Sequence, residues 1–189
     1  CDEAGLPEGL LQVVLGDGPN VGGAVLEHAD SVMFTGSTKT GRIVARDAGE
    51  RLKSASLELG GKNAMYIADD ADLTRAAECA QRAVFASAGQ LCISIERLVV
   101  HEKIADEFLR RFLERVAAMK IGVALDWGYD MGSLISADQL ERVTQHVDDA
   151  VAKGATVLIG GKARSDIGPY CYEPTVRDEE TFGPVVSVY

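Results

Sequence analysis

Apolar positions along the chain recur with two periods, and the two periods alternate. Short apolar runs at Val13-Val14-Leu15 and Ser31-Val32-Met33-Phe34 predict strands, each followed by a glycine-containing turn. A helix is predicted from Gly41 to Leu52, then a short strand at Leu57-Glu58-Leu59 closed by Gly60-Gly61. From Asp70 to Ala88 the positions Leu73, Ala76, Ala77, Ala80, Ala83 and Val84 line one helical face. Arg97 to His101 reads as a strand, followed by a helix with Ile104, Phe108, Phe112 and Val116 at four-residue spacing. Ser136 with Gln139 predicts a capping box for a third long helix, which carries Leu140, Val143 and Val147 and closes at Gly154. Ala155 to Ile159 and the final Pro184 to Tyr189 read as strands, the last one buried. Strand and helix in alternation predict an α/β architecture with a largely parallel sheet. The pattern pivots at Gly60-Gly61, which makes that step the expected domain boundary. Both ends read as cut from a longer polypeptide, because the first residues run straight into a loop and the last lie within a strand.

Composition narrows the class of function. At 189 residues, with 47% hydrophobic and 25% charged positions, the chain has the make-up of a globular protein. Nineteen basic against 29 acidic residues leave a net charge of −10, the wrong sign for sequence-independent nucleic-acid binding. No apolar run approaches the roughly 18 residues of a membrane span, and the N-terminus has no signal-peptide pattern. The four cysteines (Cys1, Cys79, Cys92, Cys171) are scattered without a CxxC pair. That spacing suits a reducing cytoplasm and predicts neither a disulfide framework nor a metal site.

Four segments could carry chemistry. Phe34-Thr35-Gly36-Ser37-Thr38-Lys39-Thr40-Gly41 joins a predicted strand to a predicted helix, where backbone N–H groups and the helix dipole favour an anion. It matches neither the GxGxxG fingerprint nor a Walker A, so a phosphate site and a plain strand-to-helix turn both stay open. Glu58-Leu59-Gly60-Gly61-Lys62 puts a carboxylate at a strand end beside two small residues, a candidate general base or a solvated glutamate. Cys92, in Gly89-Gln90-Leu91-Cys92-Ile93-Ser94, is a candidate nucleophile or a buried structural cysteine. Cys1, Cys79 and Cys171 are expected to be structural. Glu179-Glu180-Thr181-Phe182-Gly183-Pro184 offers carboxylates for sugar hydroxyls and an aromatic face for a flat ring, or merely a loop. His28, His101 and His146 are remote from Cys92 in sequence, so a cysteine–histidine hydrolase requires the fold to bring one close. His146 is expected on a solvent-facing helix surface, and the acidic excess on solvated helix faces.

In this order and at these separations, the four segments resemble the aldehyde dehydrogenase superfamily over essentially the whole chain. Asp130-Met131-Gly132-Ser133-Leu134-Ile135-Ser136 and Gly168-Pro169-Tyr170 are most similar to its succinate-semialdehyde dehydrogenase-like members. The resemblance implies the end of a Rossmann-type NAD(P)-binding domain in residues 1–60 and an incomplete, thiol-bearing α/β catalytic domain in residues 61–189. It implies Cys92 as the nucleophile that forms a thiohemiacetal and then a thioester, and Glu58 as the base that activates water. Gly36, Ser37, Thr40 and Gly41 would form the cofactor-binding turn, with Gly36 and Ser37 at the pyrophosphate. Leu59 would lie near the nicotinamide, Glu180 would hold its ribose, and Phe182 would pack beside it. The cofactor would be NAD or NADP, the substrate a small carboxylated aldehyde such as succinic semialdehyde, and the full-length protein a homo-oligomer, dimer or tetramer.

Three departures from the family pattern stand out. The upstream half is absent, with the asparagine that completes the oxyanion hole and the lysine that meets the adenosine ribose. The closing C-terminal stretch is absent too. The passage from Val176 to Arg177 is about ten residues shorter than in relatives. Ser87 stands where relatives often carry asparagine. Competing expectations are a coenzyme A-acylating dehydrogenase, a non-catalytic cofactor-binding or structural relative, and a cysteine hydrolase that needs no nicotinamide.

Overall fold

A computed structural model describes residues 2–125, 127–176 and 183–189. The chain divides into two compact units, Cys1–Gly60 and Gly61–Tyr189.

The first unit is built around a strand–helix–strand crossover. Helix α1 (Gly23–His28) precedes β1 (Ser31–Gly36), α2 (Thr38–Glu50) and β2 (Ser54–Leu59). β1 and β2 run parallel, with Thr35 opposite Glu58 and Gly36 opposite Leu59. α2 begins three residues earlier than its apolar period suggested, because the Ser37 hydroxyl accepts the Thr40 N–H at 3.1 Å and caps the helix. Thr38-Lys39-Thr40 are therefore the first helical turn rather than loop. Gly41 is buried at the crossing of α2 and β2, where a Cβ would lie 2.5 Å from Leu59 Cδ2. Lys53 ties the end of α1 to the crossover, its ammonium donating to the Leu26 and Glu27 carbonyls at 2.9 and 2.7 Å. The strand expected at Val13-Val14-Leu15 does not form: these residues are exposed and carry no strand pairing among the described residues. An apolar run becomes a strand only where a partner's backbone groups are in reach, and the described sheet of this unit holds β1 and β2.

The second unit holds a four-stranded parallel sheet, order β3-β4-β6-β5, formed by β3 (Asn63–Ile67), β4 (Ile95–Val100), β5 (Thr175–Val176) and β6 (Val185–Val188). The final residues are a buried strand as expected, seated between β4 and β5. Two strands were not anticipated. β3 follows the double glycine as the run Ala64-Met65-Tyr66-Ile67, and β5 is only two residues long. Three helices complete the unit: α3 (Leu73–Phe85), α4 (Ala105–Ala117) and α5 (Ala137–Ala152). Asp72 caps α3 by accepting from the Thr74 and Arg75 N–H groups, so the helix starts later than the expected Asp70. It also stops earlier, at Phe85, because Ala86 is extended. Ser136 caps α5 by accepting from Gln139 N–H. The apolar stripes meet in one core, with the Phe112 ring stacked 6.3 Å from Phe85 and 5.7 Å from Phe108. Ala155 to Ile159 is not a strand among the described residues; Val157 and Ile159 pack against the core from an unpaired segment. The opposite face of α4 is solvated, and Arg110 and Arg111 pull the Glu107 carboxylate down to about 2 through charged hydrogen bonds. No helix among the described residues is long and apolar enough to cross a membrane.

Candidate active site

In the first unit the candidate residues gather at the carboxyl ends of two parallel strands. β1 delivers Thr35 and Gly36, β2 delivers Glu58 and Leu59 beside them, and α2 starts directly after β1. The Glu58 side chain is exposed. With the Thr40 N–H taken by Ser37, the Thr38 and Lys39 N–H groups remain at the mouth of a 13-residue helix without intrahelical acceptors. This is the edge at which open α/β sheets take ligands, and a helix N-terminus there suits an anion. Gly41 serves a packing purpose: lacking a Cβ, it lets α2 close onto Leu59. Beside this turn lies a largely apolar cavity of about 650 Å³ lined by Gly18, Pro19, Val25, Leu26, Val32 and Thr40, among others. The sequence reading missed Gly18 to Leu26, although Asp17-Gly18-Pro19-Asn20 is a recognisable turn signal.

In the second unit the candidate thiol sits at the amino end of the sheet. Cys92 is exposed in a turn closed by the Ser94 N–H donating to Leu91 O at 3.0 Å, immediately before β4. The chain reaches that turn from α3 through Ser87, Ala88 and Gly89, with φ of 52, 53 and 68°. Three successive left-handed residues reverse the chain sharply, and the two non-glycine ones are strained. Gly89 is required: a Cβ there would lie 2.1 Å from the Gly183 carbonyl oxygen. The segment that follows Phe182 thus reaches the turn that precedes Cys92. Glu180 and Phe182 themselves lie outside the described residues.

Two side-chain amides hold this region. Gln90 Nε2 donates to Ser87 O at 3.0 Å and Ser133 O at 3.3 Å, while its Oε1 accepts the Ile135 N–H at 2.9 Å. The Leu134 N–H in turn donates to Tyr170 O at 2.9 Å. The two segments that carried the narrower resemblance, 130–136 and 168–170, therefore meet each other and the thiol-bearing loop. Asn63 Nδ2 donates to Cys92 O at 2.8 Å and Ser94 O at 3.0 Å. Asn63 went unnoticed in sequence; a carboxamide directly after Gly60-Gly61-Lys62 at the head of an apolar run was the available signal.

The family is decided by comparison over the whole length. The aldehyde dehydrogenase family model matches residues 1–189. The chain belongs to the aldehyde dehydrogenase family. A Mycobacterium ulcerans relative provisionally named succinate-semialdehyde dehydrogenase (NADP+) 2 is 54% identical over 98% of this chain. Succinate-semialdehyde dehydrogenase (NADP+) 1 of Schizosaccharomyces pombe is 40% identical over 100% of it. Among solved structures, betaine aldehyde dehydrogenase of Staphylococcus aureus in complex with NAD+ superposes with a TM-score of 0.93 at 36% identity, covering 100% of this chain and 40% of that one. The chain spans 38% of the Mycobacterium ulcerans relative and 41% of the fission yeast one. Its α/β fold with parallel sheets is the family's.

The other thiols and imidazoles divide as their surroundings dictate. Cys171 is buried, and burial pushes its thiol above the usual range. Cys79 is exposed on α3. His101 follows the carboxyl end of β4, the opposite end from Cys92, where its Nδ1 accepts the Lys103 N–H at 3.3 Å. His146 is half-buried on α5 rather than solvent-facing, since it neighbours the buried Val143 and Val147 positions. Among the described residues no cluster of His, Cys, Asp and Glu is arranged to hold a metal ion.

Proposed function

We propose that the protein carrying this chain oxidises a small carboxylated aldehyde, succinic semialdehyde being the leading candidate, to the acid with NADP+ or NAD+. The observation that carries this reading is the exposed Cys92 thiol on a turn held by Asn63, in a member of this family. The names of the mycobacterial and fission yeast relatives support the substrate and NADP+, and the bacterial structure with NAD+ supports the cofactor class. In this reading residues 1–60 are the end of the cofactor domain and residues 61–189 belong to the catalytic domain.

The residues present fit a dinucleotide. The Thr38 and Lys39 N–H groups suit a pyrophosphate, Gly36, Ser37 and Thr40 shape the turn, and the adjoining cavity of about 650 Å³ suits an adenosine. Gly41 and Leu59 set how closely α2 approaches β2. Glu180 and Phe182 are assigned to the nicotinamide end. When bound, the nicotinamide supplies the hydride acceptor. Cys92 Sγ bonds to the aldehyde carbon and its proton passes to the carbonyl oxygen, giving a thiohemiacetal; loss of hydride from that carbon, with release of the hydroxyl proton to water, leaves a thioester on Cys92. Glu58 takes a proton from water as the water oxygen attacks the thioester carbon. The C–S bond then breaks, the thiol is restored and the acid leaves.

The test is turnover of the intact protein with succinic semialdehyde and each cofactor, with and without coenzyme A. Cys92→Ser is expected to lose about a thousandfold or more in kcat, as when a catalytic nucleophile is removed. Glu58→Gln is expected to keep a single-turnover burst of reduced cofactor while steady turnover falls, because only thioester hydrolysis is blocked. Unchanged turnover in Cys92→Ser would falsify this reading. A product that forms only as a coenzyme A thioester would replace hydrolysis with acyl transfer.

A further inference from the structure

The Cys92 turn is not self-supporting. Its one backbone closure, Ser94 N–H to Leu91 O, leaves the Cys92 and Ser94 carbonyls without donors from the turn itself. Both are taken by a single group, the Asn63 Nδ2, at 2.8 and 3.0 Å. The register of the sheet explains how one side chain reaches both. Asn63 lies opposite Ile95, but Ala64 lies opposite Arg97, so β4 carries one extra residue at its start. Such a bulge bends the strand that carries it and increases the local twist. Here the bulged start of β4 and the turn before it lie within hydrogen-bond reach of the Asn63 amide. A planar NH₂ with two hydrogens is what two carbonyls require; a hydroxyl offers one donor and a carboxylate none.

We propose that Asn63 is a positioning residue for the nucleophile: by holding the Cys92 carbonyl and the Ser94 carbonyl together, it fixes the turn from which the thiol meets the substrate. The proposal rests on the reading of Cys92 as nucleophile. A displacement of the order of 1 Å at a reacting group costs about a hundredfold in rate, so a turn tethered through side-chain amides is where such control is effective.

The test compares Asn63→Ala, Asn63→Ser and Cys92→Ser in the intact protein. Succinic semialdehyde and NADP+ serve as substrates, and alkylation of Cys92 by iodoacetamide is measured in parallel. A positioning role predicts that kcat of Asn63→Ala falls by about 10- to 100-fold, while the cofactor KM stays within about twofold. Alkylation, which needs no alignment with a bound substrate, is expected to stay within about threefold of the parent, and Asn63→Ser, with one donor left, to fall between. A kcat near the parent's in Asn63→Ala overturns the proposal, and so does a fall in alkylation equal to the fall in kcat. If Asn63→Ala does not fold, full kcat in Asn63→Ser overturns it and an intermediate kcat supports it. Cys92→Ser separates the two levels. Turnover surviving in Cys92→Ser sinks the dehydrogenase reading itself, whereas an inactive Cys92→Ser beside a fully active Asn63→Ala sinks the clamp alone.

Discussion

At the carboxyl edge of the β1–β2 pair, strand passes into helix through a relaxed turn capped by its own Ser37. At the amino edge of the four-stranded sheet, helix passes into strand through three left-handed residues, and the Asn63 amide on β3 and the loop's own Gln90 amide tie the result to distant segments. The difference follows from the polarity of a helix. An N-terminus arrives with spare N–H groups, so a few adjacent residues are enough to make an anion site. A C-terminus arrives with spare carbonyls, and the chain beyond it needs donors. Asn63 and Gln90 supply them through four N–H to carbonyl hydrogen bonds, three of them at 3.0 Å or less. The first edge is a product of local sequence, the second of tertiary contacts.

Substitutions of matching kind at the two edges break or sharpen this contrast. The largest effect is expected for Gly89→Ala. Left-handed φ costs a β-carbon about 1–2 kcal/mol and overpacking against the Gly183 backbone about 1–3, so a loss of about 2–5 kcal/mol is expected in denaturant unfolding. Gly41→Ala meets only the end of the Leu59 side chain, and the gain in helix propensity offsets part of the crowding; about 1 kcal/mol or less is expected. Equal losses at the two glycines would sink the distinction. Next, Ser37→Ala should lower stability by about 1 kcal/mol and weaken cofactor binding while leaving Cys92 alkylation unchanged. A thermal melt and a cofactor titration identical to the parent's would remove Ser37 from the cradle. The smallest effect is a gain. Ser87 is exposed at φ 52°, a conformation asparagine tolerates better, and Ser87→Asn should stabilise by about 0.5–1 kcal/mol. A loss instead would show that the serine side chain itself is needed there.

The same contrast explains what was legible in advance. The apolar stripes of α3 and α4, the Ser136 cap and the buried final strand were all readable, since each depends on spacing within one segment. Val13-Val14-Leu15 and Ala155 to Ile159 misled because an apolar run carries no information about whether a partner strand is in reach. β3 was passed over because its five residues follow a double glycine that looked like an ending. Cys92, Glu58 and the Phe34–Gly41 turn could be named from residue type and order alone, and so could the family they resemble. What tertiary structure alone decided is how those groups are held: that Gly41 packs while Ser37 caps, that Gly89 admits the Gly183 backbone, and that Asn63 spans 29 residues to grip Cys92. Periodicity and chemical type are properties of a segment, whereas a clamp is a coincidence in space of residues distant in sequence, and only the folded chain brings them within hydrogen-bond reach.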